Sequence, residues 1–536
     1  MPLHARLQIG VFVDRHKLAR WQAQALRTLV DDADLRVYSC RNTRPAPRQL
    51  RHSAYYLLNL LAVRNRLTRR ETWPADLAPA AVHEFEAEWG GGWQNLPFEL
   101  IEQLRRDRID VIVKFGMGLL RVPPATELSV PILSYHHGDP GRFRGRPAGF
   151  YEMIAGEPVM GQVVQRLSDR LDAGEIVAFA ETKIASHSYR STLVEAYRHS
   201  ALILRRAIEN SLEGRSWTPP EWGKNHRLPS NGLVLKFLVK QWQQAIARLL
   251  YGLFKEKRWK LATATIDDGA SLDTVLQSLS QSANWQAVRT PKSYRFLADP
   301  FFHPDGGLLV EGLNARSCRG EILHIRDGAF RRLSGRGGHY SYPATHFDGA
   351  QWHIVPEMSE WSPAQSYALR ENCLADPTEL RIPGRSALLD PTPFGHDGIV
   401  YLFANLIDEG QSVLRLWSAE TLSDEFVEHP SSPIRISPHG SRMAGSILQS
   451  GKSLIRVGQD LKREYGDGLS FFRITQIDRH RYREEHVRDF RFQHCKGPHT
   501  LNVDKGCAAF DFYDERFTVL AGIRRLKERL AAGASD

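Results

Sequence analysis

Residues 134–177 read SYHHGDPGRFRGRPAGFYEMIAGEPVMGQVVQRLSDRLDAGEIV. The stretch starts inside an apolar run, Val130–Tyr135, that is predicted as a strand, so His136 falls at its carboxyl end. His136–His137–Gly138–Asp139 and Arg142–Phe143–Arg144–Gly145 then form a Gly/Arg loop suited to an anion. A helical segment, Gly149–Ile154, follows, and Leu171–Asp172–Ala173–Gly174–Glu175 brings a carboxylate 36 residues after His136. An imidazole paired with a carboxylate can take a proton from an amine, because the carboxylate fixes the tautomer and stabilises the imidazolium.

Working outward, the first 210 residues alternate strand-like and helix-like segments. Leu7–Val13, Leu35–Cys40, Val111–Phe115 and Val130–Tyr135 read as strands, and Lys17–Leu29, Tyr55–Leu67 and Phe98–Arg106 as helices. Such alternation implies an α/β domain with a mainly parallel, Rossmann-like sheet. Ligands of such sheets bind at the carboxyl ends of the strands, where His136 sits.

Pro219–Pro220, Gly223 and Pro229 break the alternation, so 213–257 reads as a linker carrying a helix. Leu235, Leu238, Trp242, Ala245 and Leu249 recur on one face of that helix, with Lys236, Lys240 and Arg248 off it. The line suits either packing between two domains or lying on an anionic membrane. From 258 onward short strands and turns repeat. Asp299–Pro300, Tyr342–Pro343 and Asp390–Pro391 each precede a turn and a second strand, with the prolines 43 and 48 residues apart. Ala444–Gly445 opens a fourth unit and His499–Asp511 a fifth, which together predict a five-bladed propeller over 258–536. Asp299, Glu357 and Asp390 fall where inner strands begin or end, and Arg442, Asp460 and His499 are candidates to hold a sugar or its phosphate. The competing reading makes the Asp-Pro and Asp-Gly pairs turn residues.

With 42% apolar and 25% charged residues, global disorder is excluded. The net charge of +10 is mild over 536 residues. Its densest clusters, Lys255–Arg258 and Arg524–Lys527, read as solvated helix ends, so no nucleic-acid partner is expected. Five cysteines without a C-x-x-C pair argue against a disulfide framework and a zinc site, and no metal is expected. No leader and no spanning segment are read, so the expected location is the cytoplasm, with peripheral contact at the inner face of the membrane as the refinement.

The 134–177 stretch resembles the catalytic half of the folate-dependent formyltransferase family, over about residues 5–212. The family's Asn-x-His segment, the Arg-Gly step nine residues on and the Leu-Asp-x-Gly-Asp/Glu segment correspond here to Ser134–His136, Gly145 and Leu171–Glu175. The resemblance implies formyl transfer from 10-formyltetrahydrofolate to a primary amine. It makes His136 the proton acceptor and Asp172 its orienting carboxylate, and places Gly116, Met117, Gly118, Leu119 and Asp169 against the folate. Ser134 stands where the family has Asn, the donor to the developing oxyanion, and losing one such donor costs about 10²–10³ in rate. Ser134 is therefore read as a shorter hydroxyl substitute with His137 as an auxiliary cation, or as the mark of a divergent or inactive site.

The C-terminal repeats resemble glycoside hydrolase 43-like propellers, and in particular that of plant glucosamine inositolphosphorylceramide transferases. Ala298–Phe301, Val355–Glu357, Arg442–Gly445, Gly458–Asp460, Tyr465–Gly468 and His499–Asn502 carry this resemblance. Together the two resemblances imply N-formylation of a nucleotide- or lipid-linked amino sugar, with Arg144, Gly145 and the propeller residues on the substrate. The alternative is a glycosidase- or glycosyltransferase-type propeller beside an inactive or divergent formyltransferase-like domain.

Overall fold

The computed structural model describes residues 6–42, 48–168, 173–335, 338–358, 363–371, 373–384, 387–451 and 453–533. The chain divides into two compact units, Met1–Ile246 and Ala247–Asp536. Among the described residues no helix is long and apolar enough to cross a membrane.

The first unit is built on a nine-stranded sheet. Leu7–Asp14 is central, parallel to Ala33–Cys40 on one side and to Val111–Lys114 on the other. Ala81–Phe85 extends the first side, and Ile132–His136 extends the second, both in parallel. The chain thus reverses its direction of winding at Leu7–Asp14, so a switch-point crevice opens beside Asp14 and the residues after Lys114. The hairpin Val159–Arg166 and Glu175–Lys183 completes the second edge in antiparallel register, with His136 opposite Val163 and Ser134 opposite Gln165.

Phe98–Arg106 is helical as expected. The segment read as a helix over Tyr55–Leu67 is instead a short α-helix, Ser53–Leu58, that relaxes into a π-turn, Asn59–Val63. Within the stretch read as a linker, Lys224–His226 pairs with Phe143–Gly145 and Trp217 bridges to Ile176, so these residues are folded onto the first unit.

The helix Asn231–Phe254 follows. Its apolar line is open to solvent, with Leu235, Trp242 and Leu249 each more than 60% exposed.

Five antiparallel blades, three of four strands and two of five, make the second unit. Their innermost strands include Tyr294–Phe302, Tyr340–Phe347, Leu388–His396 and His439–Met443. The remaining blade is composite. Lys255–Thr265 and Trp285–Val288 from the start of the unit join Leu501–Asp504 and Cys507–Phe517 from its end, and this seals the ring. Lys255–Arg258 is therefore strand, and only the Arg524–Lys527 cluster is helical, in Ala521–Gly533.

The repeated dipeptides separate into two kinds. Asp348–Gly349 and Asp397–Gly398 are hairpin turns, in which Gly349, Asp397 and Gly398 take positive φ. Asp299, Tyr342 and Asp390 also have positive φ, near +50°, but each sits before proline at a bulge in an inner strand. The bulge offsets the alternation of side chains there, and all three residues are buried.

Candidate functional site

In the first unit, Ser134 and His136 are two residues apart on one strand and so share a face of the sheet. Both are buried. His136 Nε2 lies 3.4 Å from the carbonyl oxygen of Phe143, which folds the Gly/Arg loop back over the strand end. Gly138 sits in that fold. A Cβ there would lie 2.9 Å from His136 Nε2 and 3.6 Å from Glu152 Oε1, so the imidazole and a second carboxyl converge on one point.

Glu152 is carried by the helix Phe150–Ala155 and faces the core. Burial, aided by the nearby charges of Asp139 and Glu157, pushes its carboxyl up to about 7. Sequence reading missed this residue.

His137 has a different role from the cation expected of it. Its ring packs between Trp21 and Tyr197, with centroids 5.4 and 4.8 Å away, and its Nε2 lies 3.0 Å from Ser200 Oγ. Burial, with a contribution from His136, lowers its pKa to about 3, so the ring is neutral.

At the switch point, Asp14 Oδ1 accepts the Met117 amide at 2.8 Å, and the space beside Gly116 is filled by Asp14 itself. Met117 is buried in a cluster with Phe12, Leu120 and Ile132, while Leu119 is exposed. Only the backbone of Met117 can therefore face a ligand. Asp169 and Asp172 lie outside the described residues. Leu167, just before them, packs on the same cluster and donates its amide to the Ile132 carbonyl.

Arg144 donates to the Gly223 carbonyl at 2.8 Å and stands over the Trp222 ring. Gly145 has φ +86°, and a Cβ there would lie 2.1 Å from the His226 carbonyl oxygen.

In the propeller, Arg442 binds Asp390 through Nε at 2.6 Å and a terminal nitrogen at 3.1 Å, and reaches Glu357 at 3.0 Å. Gln459 adds a bond to Asp390 at 2.8 Å. Burial, opposed by Arg442 and assisted by Asp390, still pushes Glu357 up to about 8.

A second group surrounds His499. Its Nδ1 lies 3.2 Å from Asp511 and 3.3 Å from Asp299, and its Nε2 lies 2.8 Å from the Tyr465 hydroxyl. Burial alone would lower His499, but Tyr465, Asp511 and Asp299 hold it well above the usual imidazole range. The Arg442 guanidinium over the Tyr465 ring joins the two groups.

The propeller thus gathers five of the six expected residues. Asp460 is turned away from them, held by Arg491 at 2.6 Å. Glu311, also missed, is buried and raised well above the carboxylate range by burial and by Asp299 and Glu357. Two triads, Asp299–His499–Asp511 and His439–His486–Asp489, place ligand atoms close enough to share a metal ion, a possibility not foreseen from cysteine spacing.

Residues 75–204 match the formyl transferase family, and residues 286–507 match the N-terminal domain of glucosamine inositolphosphorylceramide transferase 1. Rice glucosamine inositolphosphorylceramide transferase 1 is 25% identical over 35% of this chain, and the matched stretch spans 27% of the rice protein. Similar solved structures include a formyltetrahydrofolate deformylase from Pseudomonas syringae, 14% identical over 40% of this chain and 66% of that one, with a TM-score of 0.28. Another is a sugar N-formyltransferase from Shewanella, 11% identical over 41% and 75% of the two chains, with a TM-score of 0.25. The chain therefore joins a formyl transferase domain with a Rossmann-like fold to a five-bladed propeller of the glucosamine inositolphosphorylceramide transferase type.

Proposed function

We propose that the first unit moves a formyl group from 10-formyltetrahydrofolate to the primary amine of a nucleotide- or lipid-linked amino sugar, and that the propeller holds the glycan. The observation that carries this is His136, buried at a strand end with Nε2 directed toward Gly138 inside a formyl transferase domain. The amine adds to the formyl carbon, and the new C–N bond leaves a positive nitrogen and a tetrahedral oxyanion. His136 takes the nitrogen's proton, and Ser134 is the side-chain donor available to the oxyanion. The intermediate collapses as the formyl C–N10 bond breaks and the His136 imidazolium returns the proton to N10, releasing tetrahydrofolate. The family resemblance assigns Asp172 to orient the imidazole, and Glu152, its carboxyl raised to about 7, stands at the same point. The Gly116–Leu119 backbone at the switch point suits the pterin, and the amino-sugar acceptor accords with the glucosamine in the name of the propeller's relative.

A second reading has its own observation. Glu357, pushed up to about 8 beside an ion-paired Asp390, is protonated at neutral pH and so equipped as an acid in glycan turnover.

One experiment separates them: formyl transfer and glycan turnover are followed by mass spectrometry for His136→Asn, Asp172→Asn and Glu357→Gln. The first reading expects the two N-terminal changes to abolish formylation, each by about 10³ or more, with Glu357→Gln retaining it. Formylation that survives both N-terminal changes overturns it.

A further inference from the structure

The second unit leaves a large apolar face and a basic pocket side by side. The helix Ala521–Gly533 is tied to the last turn of the helix Asn231–Phe254. Gly522 lies against Leu253, Arg525 donates to the carbonyls of Tyr251 and Lys255, and the rings of Phe254 and Phe517 stack at 5.7 Å.

These contacts use one face of the C-terminal helix. The opposite face carries Ile523, Leu526 and Leu530 at helical spacing, 55%, 58% and 64% exposed. Leu253, which packs on Gly522, and Phe517, which stacks on Phe254, are themselves exposed where the two helices meet. Scattered apolar side chains are ordinary on a protein surface, but a contiguous stripe across two docked helices marks a contact site.

A pocket of about 580 Å³ lies where the C-terminal helix begins, lined by Arg258, Arg295, Arg516, Arg524, Arg525 and Lys257, with Glu256 as its acidic group. Glu256 is already bound by Arg295 at 2.6 Å and Arg524 at 2.5 Å. Among the described residues, neither Arg258 nor Arg516 has a carboxylate partner. Arg524 lines the pocket and Ile523 precedes it on the same helix, so the cationic pocket borders the apolar stripe.

We propose that this face docks on an anionic lipid surface, with the apolar stripe entering the headgroup region and the pocket receiving a lipid phosphate. Charge complementarity selects this occupant over a second copy of the chain. The pocket's excess of cations would repel its own image across a two-fold axis, whereas a phosphate layer satisfies it. The shape is that of an interfacial amphipathic element, apolar on one side and arginine-rich at its border.

The test is co-sedimentation of the full chain with vesicles of phosphatidylcholine alone or with about 30% phosphatidylglycerol. Binding to the anionic vesicles is expected, falling several-fold as salt rises to about 0.5 M. The pair Ile523→Asp with Leu526→Asp should abolish it. The pair Arg258→Gln with Arg516→Gln should weaken it about tenfold or more while leaving weak binding to neutral vesicles unchanged. All four side chains lie on the surface, and circular dichroism checks that each variant keeps its fold. Absence of wild-type binding, equal binding to neutral and anionic vesicles, or indifference to both pairs overturns the proposal. So does a wild-type dimer that Ile523→Asp with Leu526→Asp splits without any vesicle binding.

Discussion

Glu152 is the residue whose protonation most directly links stability to the candidate site. Its pKa is raised from about 4.5 in the unfolded chain to about 7 when folded, mainly by burial. A carboxyl raised in this way favours folding fully below pH 4.5, and the benefit is lost as pH rises through 7. At alkaline pH its ionised form costs about 3 kcal/mol relative to acid. Thermal unfolding at pH 5 and pH 8.5 should therefore show a wild-type Tm that falls more than that of Glu152→Gln. Equal falls in the two proteins would remove Glu152 from this role. The propeller's own raised carboxyls, Glu311 and Glu357, titrate in wild type and variant alike, so the comparison isolates the one group.

Elements place these residues. The loop that carries Arg144 is held by the parallel pairing of Phe143–Gly145 with Lys224–His226, and that pairing needs a residue without a side chain at 145. Gly145→Ala sets a Cβ against the His226 carbonyl at a left-handed φ, so a loss of about 1–3 kcal/mol is expected from denaturant unfolding. Because the same loop returns over His136, kcat/KM for formylation should fall with it.

The elements also explain what was legible beforehand. Strand–helix alternation exposed the parallel half of the sheet, because each strand there is a short apolar run between polar breaks. The hairpin Val159–Arg166 and Glu175–Lys183 escaped notice since the first of its strands is buried on both faces and shows no alternation. The blades were legible through their X-Pro steps, each of which marks a bulge in an inner strand. Glu311 and Glu357 occupy the same register, opposite Ala298 and Ser341 one step before that bulge, and Asn405 faces Leu389 in the next blade. Aligning the repeats on their prolines does not reveal Glu311, because it stands 11 residues after Pro300 whereas Glu357 stands 14 after Pro343, and the shared register shows only in the strand pairing. Glu152 had no marker either, because an acidic residue in a short helix is unusual only once the helix's buried face is known.

At the scale of the whole molecule, the two units have separate cores, and the propeller's ring depends on both ends of its own sequence. Lys255 pairs with Phe517 and Thr265 with Cys507, so the composite blade takes two strands from each end. A chain beginning at Ala247 should fold to a cooperative unit with a sharp calorimetric transition. One beginning at Ile266 lacks the strand that bridges the blade and should give no such transition. If the shorter chain melts as sharply as the longer one, the closure does not hold the ring.

That same closure puts a clock on biosynthesis. The strand that starts the ring leaves the ribosome about 250 residues before its partner, at roughly 5–20 residues per second. For that interval the nascent chain carries an open ring with an unpaired strand edge, while the formyl transferase domain ahead of it is already complete. The second unit is thus the part of the chain that carries an open edge during synthesis, and a stalled or truncated translation product would expose that edge after the first domain is finished.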